Sequence, residues 1–186
     1  MMNKLMKSLV FVTTCFLISS CSVVLNDYKT ADKPFDIKIY FDRQVIAWGM
    51  IQDYSNKVKR RFCVEINGTW KDDKGVLAEK FYFNNGEISY RNWQLTKLAD
   101  GSYTGTAEDV VGTAIGKHQG FAFQFQYELS LNIDGDITQV TMDDWMYQLD
   151  ENRVMNKTSM SKFGIKVAEV TLFFDKETIN QSCPST

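Results

Sequence analysis

The stretch Phe121-Ala122-Phe123-Gln124-Phe125-Gln126-Tyr127-Glu128-Leu129-Ser130-Leu131-Asn132-Ile133 alternates aromatic or aliphatic residues with small or polar ones along its whole length. A period of two belongs to a strand with one buried face and one wet face, whereas a helix repeats every ~3.6 residues. At ~3.3 Å per residue the run would extend roughly 40 Å, longer than an ordinary strand. A strand of that length is expected to coil or bend, as strands do when they close a barrel.

On either side, shorter runs of the same kind predict strands at Val45–Tyr54, Val58–Ile66, Val76–Phe83, Glu87–Leu98, Ser102–Asp109, Val111–Lys117, Ile137–Gln148, Val154–Met160 and Ile165–Phe174. Turn dipeptides separate them: Asn67-Gly68, Lys74-Gly75, Asn85-Gly86, Asp100-Gly101 and Asp134-Gly135, each suited to a tight turn with positive φ. No proline lies between Phe35 and Cys183, as continuous ladders require, because proline removes a backbone donor. The expectation is an all-β antiparallel meander closed into a barrel of about 8–10 strands, with a sandwich as the alternative. A membrane-spanning barrel would need a lipid-facing apolar band in every strand, and Lys57-Val58-Lys59-Arg60-Arg61 and Asp143-Asp144 interrupt such a band. Phe35–Phe41 fits either a strand or a short helix, and Ser22–Pro34 has no sustained period and reads as a tether.

The amino terminus carries a different message. Lys4 and Lys7 precede an apolar run from Leu9 to Ile18, the layout of an export signal, and the run falls short of the ~20 residues that span a bilayer. Leu17-Ile18-Ser19-Ser20-Cys21 has the shape of a bacterial lipobox, in which the cysteine is acylated and becomes the first residue. One acyl chain holds a protein marginally and two or more hold it firmly, so a fully acylated Cys21 is a lasting membrane anchor. Ser22, in place of an aspartate, points to the periplasmic face of the outer membrane. The organisation read from the sequence is residues 1–20 as leader, 21–34 as lipidated tether and 35–186 as barrel domain.

Loss of Lys4 and Lys7 with the leader takes the formal net charge from −2 to −4. A mildly acidic chain lacks the basic footprint that nucleic acid demands, so that class of partner is excluded. Besides Cys15 in the leader and Cys21, only Cys63 and Cys183 remain. They either pair, as an oxidising compartment favours, or stay as two free thiols. Two cysteines and the single His118 are too few for a structural zinc site, and no cofactor is implied.

Asp143 and Asp144 invite an acid–base reading, but neighbours on a strand point to opposite faces. Asp143 shares a face with Trp145 and Tyr147, and Asp144 shares one with Met142 and Met146. An inward aspartate would meet a buried cation such as Arg91 or Lys162, in a structural pair rather than a catalytic one. His118, in Gly116-Lys117-His118-Gln119-Gly120, reads as an exposed turn residue. The basic cluster Lys57, Lys59, Arg60 and Arg61 is either a solvated strand face or a contact for anionic lipid. The aromatics Trp48, Trp70, Trp93, Trp145, Tyr90 and Tyr147 fill the core of a small barrel. If its interior is open, Trp48, Tyr90, Trp93, Trp145 and Tyr147 line a pocket with Arg91 and Asp143 as its polar groups. No catalytic residue is assigned.

Several phrases together, Ala47-Trp48-Gly49, Trp93-Gln94-Leu95-Thr96-Lys97, Asp109-Val110-Val111-Gly112-Thr113-Ala114, Asp143-Asp144-Trp145-Met146-Tyr147 and Met160-Ser161-Lys162-Phe163-Gly164, resemble the bacterial lipoprotein family known as domain of unknown function 3833. The resemblance covers about Phe41 to Phe174. It implies a lipidated envelope protein with a lipocalin-like barrel and no established activity. Gly68-Thr69-Trp70 matches the glycine-any-tryptophan phrase of lipocalins, but follows two predicted strands instead of lying on the first. A bridge from a C-terminal tail to the barrel, which Cys63 and Cys183 could supply, is also a lipocalin habit. The expectation is an outer-membrane lipoprotein that binds an apolar or amphipathic small molecule or lipid. The alternatives are a structural partner in the envelope with a closed core, its protein partner unknown, and an enzyme acting on envelope lipid or sugar through Asp109, Asp143, Asp144 and His118.

Overall fold

The computed structural model describes residues 23–30, 34–133, 135–177 and 182–184. Among them, ten strands run in sequence around a closed barrel. They are β1 (Arg43–Asp53), β2 (Val58–Lys71), β3 (Lys74–Phe83), β4 (Ile88–Lys97), β5 (Tyr103–Thr106), β6 (Val110–Gln119), β7 (Ala122–Ile133), β8 (Asp136–Gln148), β9 (Arg153–Lys162) and β10 (Ile165–Asp175). Each pairs antiparallel with the next, and β10 returns to β1 with Ile46 opposite Asp175 and Asp53 opposite Ala168. Closure gives every strand a neighbour on both sides, although the four-residue β5 leaves Ile88–Trp93 of β4 without a ladder partner on that side, where the Asn92 amide donates to the Glu108 carboxylate. The expected meander is therefore the fold.

The alternation in β7 decides what is inside. Phe123, Phe125, Tyr127 and Leu129 are buried in the lumen, and Gln124, Gln126 and Glu128 face outward. The expected start of this strand at Phe121 is one residue early, since Gly120 and Phe121 form the turn from β6. His118 consequently lies within β6 and not in a turn, and Gly120 takes a positive φ of 53°.

The Asn85-Gly86 and Asp100-Gly101 turns stand where expected, with Gly86 at φ 84° and Gly101 at φ 85°; Gly135 follows at φ 95°. Asn67-Gly68 and Lys74-Gly75 do not form turns: both glycines lie inside strands. They are small for lack of room. A Cβ on Gly68 would lie 1.5 Å from the Phe41 carbonyl oxygen, and one on Gly75 2.5 Å from the Trp70 ring.

Phe35–Phe41 is no barrel strand. Asp36 caps a single helical turn, Ile37–Tyr40, by accepting from the Lys38 amide at 3.0 Å. The turn drives Ile37, Tyr40 and Phe41 into one end of the barrel and leaves Ile39 57% exposed, the i, i+3, i+4 face of a helix. The expected tether is also more than a tether. Leu25–Tyr28 forms a 3-10 turn that sets Tyr28 among Phe121, Trp145 and Tyr147 on the outer wall, and the Phe35 amide donates to Gly120 at 2.8 Å. The expected leader and Cys21 fall outside the described residues.

Cys63 is bonded to Cys183. The bridge lies on the outer face of β2 with Ile46 and Tyr82, and Glu65 accepts from the Cys183 amide at 2.9 Å. A loop closed over a separation of 120 residues restricts the unfolded chain by roughly 4–5 kcal/mol on the chain-entropy model.

Candidate functional site

The two ends of the barrel differ. At the plugged end, Phe35, Tyr40, Val45, Tyr103, Phe123 and Val154 are essentially fully buried. Along the inner face of β7 the side chains stay buried through Leu129, become half-buried at Leu131, and reach 51% exposure at Ile133. On β10, Phe174 is buried while Leu172 and Val170 are half-buried. The lumen thus opens away from the plug, and that end is the mouth.

Between plug and mouth lies a cavity of about 290 Å³ whose wall runs from Ile37 and Phe41 to Arg60, Ser89 and Met160. That is about twice the ~150 Å³ that admits benzene to an apolar protein core. Most of the wall is aromatic or aliphatic, and one side of it is polar.

The polar side is built by cross-strand register. Glu79 on β3 stands opposite Arg91 on β4, and both line the cavity. Arg91 grips Asp109 with two donors, Nε to Oδ1 at 3.0 Å and Nη2 to Oδ2 at 2.5 Å. Facing them, Asp144 on β8 accepts from Asn156 on β9, whose Nδ2 also donates to the Trp145 carbonyl at 3.2 Å. The Thr158 hydroxyl donates to Asn156 Oδ1 at 3.2 Å.

Burial governs the charges. It raises the Glu79 carboxyl to about 7, against the pull of Arg91, with Asp144 and Asp109 pushing in the same direction as burial. It raises Asp144 to about 6, partly offset by the hydrogen bond from Asn156. Burial disfavours the Arg91 charge, but the carboxyls of Glu79 and Asp109 hold it protonated well above its ordinary range. Burial and the Asp144 charge push the Tyr127 hydroxyl up, so it stays a neutral donor. The lumen therefore offers a fixed cation at Arg91, a second arginine, Arg60, towards the mouth in a pair with Glu87, and two carboxyls that change charge near neutrality.

Of the residues expected to line a pocket, Trp93 and Arg91 do so. Trp48, Tyr90, Asp143, Trp145 and Tyr147 occupy the outward rows of their strands, which corrects the expectation for those five. The reason is parity, since a shift of one residue reverses the face. Tyr90 is 69% exposed beside inward Arg91. Asp143 is held on the outer wall by Gln124 at 2.6 Å and by the Trp145 indole N–H at 3.0 Å. Trp145 and Tyr147 stack there under Tyr28.

The acids and histidine that would support an enzyme are dispersed. Asp143 is outside, Asp144 inside, Asp109 at the mouth side on Arg91, and His118 near the plugged end facing Gly101. Lys162, the other suggested buried cation, lies at the mouth end of β9. No group of three or more potential metal ligands occurs among the described residues.

A signal for Glu79, Asp144 and Asn156 does exist in the sequence. Glu79 and Asp144 each interrupt an otherwise apolar row at every second position, Leu77-Glu79-Phe81-Phe83 and Val140-Met142-Asp144-Met146, and Asn156 and Thr158 together interrupt Val154-Asn156-Thr158-Met160. A charge within such a row is a charge inside the barrel.

Compared with known protein families, residues 15–176 match the one described as Protein of unknown function (DUF3833). No curated protein matches the chain.

Proposed function

The chain belongs to the DUF3833 family of unknown function, and from that footing we propose that it is a lipocalin-like binding module. It takes one apolar or amphipathic molecule into its lumen and is held by an acylated Cys21 on the periplasmic face of the outer membrane. The observation that carries the binding reading is the cavity itself: about 290 Å³, apolar on most sides, with Glu79, Arg91, Asp144 and Asn156 converging on it. A concave apolar site with a few buried polar groups is the usual profile of a small-molecule site. The apolar part of the ligand lies along Phe125, Leu129, Met142 and Leu172, and its polar head meets the carboxyls and Asn156. A role as a closed-core structural element has no comparable support, because the lumen is not filled. The lipocalin likeness rests on the plugged, cavity-bearing meander, which has more strands than a lipocalin barrel.

Native mass spectrometry tests the binding. The protein recovered from its own host, or stripped and incubated with a long-chain fatty acid or a lysophospholipid, is expected to carry one ligand per chain. Leu131→Trp, which sets an indole across the mouth side of the lumen, is expected to lower occupancy about tenfold. A chain that carries no ligand from any source overturns this reading. Anchoring is tested separately: labelled palmitate enters the wild-type protein in the outer-membrane fraction and is absent from Cys21→Ser.

A further inference from the structure

The mouth of the barrel is unusually greasy for a solvated rim. Hairpin β1–β2 presents Tyr54 and Val58, hairpin β9–β10 presents Phe163 and Ile165, and hairpin β7–β8 presents Ile133 and Ile137, all exposed. In the closed strand order, β1 and β10 are neighbours, so the first two hairpins stand side by side on the rim. Apolar residues grouped this way mark an interaction surface, whereas scattered ones do not.

Phe163 is the most telling member. It is 93% exposed at the tip of a two-residue turn. Its φ is 52° and that of Gly164 is 76°, so both turn residues take the left-handed conformation that asparagine and glycine suit. A bulky residue adopts this conformation only at a cost. A phenyl ring that breaks the local turn rule and touches little of its own fold is placed for something outside it.

The same patch is basic. Lys57, Lys59 and Arg61 are exposed and Lys162 is half-buried beside the Phe163 ring, 5.7 Å from its centroid. None of the four pairs with an acid among the described residues. Of the nearby acids, Glu87 is taken by Arg60 and Glu169 by Lys157 and Lys166, while Asp53 is bonded to the backbone of its own turn and keeps its charge near Lys59, so the sector remains net basic.

We propose that this sector of the mouth is a docking surface for an anionic lipid bilayer. Tyr54, Phe163 and Ile165 enter the boundary between headgroups and acyl chains, and Lys57, Lys59, Arg61 and Lys162 lie on the lipid phosphates. Aromatic tips flanked by unpaired cations suit such a surface, which attracts cations and accepts rings at headgroup level. A second copy of the chain is a poorer fit, because a symmetric contact would set one basic patch against another. The proposal depends neither on an occupied lumen nor on an acylated Cys21, and because Tyr28 packs at the plugged end the bilayer met by the mouth is not the one that would hold Cys21. A ligand entering or leaving a docked mouth would, however, pass directly between barrel and bilayer.

Hydroxyl-radical footprinting of the full chain tests this whatever its amino terminus does. Vesicles of phosphatidylglycerol are expected to lower oxidation of Tyr54 and Phe163 about threefold or more. Phosphatidylcholine vesicles should leave it unchanged, as should either lipid for Leu149 at the plugged end. High salt and the triple variant Lys57→Glu, Lys59→Glu, Arg61→Glu should each abolish the protection, while arginine in place of the two lysines retains it. Phe163→Asn fits the turn better, so its melting midpoint should equal or exceed that of wild type while the protection of Tyr54 weakens. The proposal is overturned if Tyr54 and Phe163 oxidise equally with and without anionic vesicles. It also fails if their protection ignores salt and charge reversal, or arises only when an envelope protein is added. Ligand occupancy by mass spectrometry is a separate readout, so either proposal can fail alone.

Discussion

Asp144 and Glu79 are carboxyls that folding places where ionisation is costly. Burial lifts Asp144 from 3.8 to about 6 and Glu79 from 4.5 to about 7, so across that interval the folded chain holds protons the unfolded chain has released. A folded-state pKa above the unfolded one means that stability falls as pH rises between the two values. For Asp144 the loss is at most about 3 kcal/mol. Asp36 works in the opposite sense: burial raises its pKa, but Lys97 and Tyr103 outweigh burial and hold it below its ordinary value, so its contribution disappears in stronger acid. The expected outcome is a higher urea midpoint at about pH 5 than at about pH 7.5, with the difference diminished in Glu79→Gln and in Asp144→Asn. A midpoint that rises over the same interval would show that neither carboxyl is desolvated. The same titration should be reflected in ligand affinity, since a neutral carboxyl donates a hydrogen bond and an ionised one only accepts.

At the scale of elements, the helical turn Ile37–Tyr40 closes one end of the barrel, and Asp36 fixes it there. Its carboxylate caps the turn at the Lys38 amide, pairs with Lys97 Nζ at 2.5 Å and accepts from the Tyr103 hydroxyl. Asp36→Ala removes the cap and leaves a buried hydroxyl and a half-buried ammonium unpartnered. It is expected to cost about 2–4 kcal/mol, seen as a lower urea midpoint and faster amide exchange at Tyr40 and Phe41. Asp36→Asn, which keeps the cap, should cost less. This element was only half legible in the sequence, because Phe35, Ile37, Ile39 and Phe41 alternate as a strand would while Ile37, Tyr40 and Phe41 also match a helical face. The choice between them is made by the open barrel end that needs filling, which is a tertiary fact. The glycines show the same limit. Gly86 and Gly101 are needed for positive φ, Gly68 and Gly75 for want of space, yet all four follow a polar residue in the sequence. The number and order of the strands were legible, and most ends fall within one or two residues of those expected, because sustained alternation has few competitors; β2 runs on five residues to Lys71 and β5 stops at Thr106, three residues before the expected Asp109. The wall of the site was less so. Aromatic content pointed to Tyr90, Trp145 and Tyr147, whereas row parity, read from Leu77-Glu79-Phe81 and Met142-Asp144-Met146, points to the side chains that are inside.

For the whole molecule, closure of the barrel and closure of the covalent loop are separate constraints on the same chain. The β1–β10 ladder joins the first strand to the last through eight residue pairs, and a contact so distant in sequence has a large loop-closure cost. The Cys63–Cys183 bridge spans a similar separation, 120 residues, and reduces that cost by restricting the unfolded chain. It lies on the outer face of β2 with Ile46 and Tyr82, and neither sulfur belongs to the cavity wall. Its contribution therefore concerns stability and leaves the lumen untouched. Cys183→Ser, or reduction of the wild type, is expected to lower unfolding free energy by up to about 5 kcal/mol, measured as a fall in urea midpoint. Because the loss arises in the unfolded ensemble, the native cavity keeps its shape, and ligand stoichiometry by native mass spectrometry should be unchanged wherever the reduced protein is still folded. Loss of ligand before loss of fold would mean instead that the bridge braces the Phe62, Val64 and Ile66 row on the other face of β2, and that the barrel wall is softer than its closed hydrogen-bonded ladder implies.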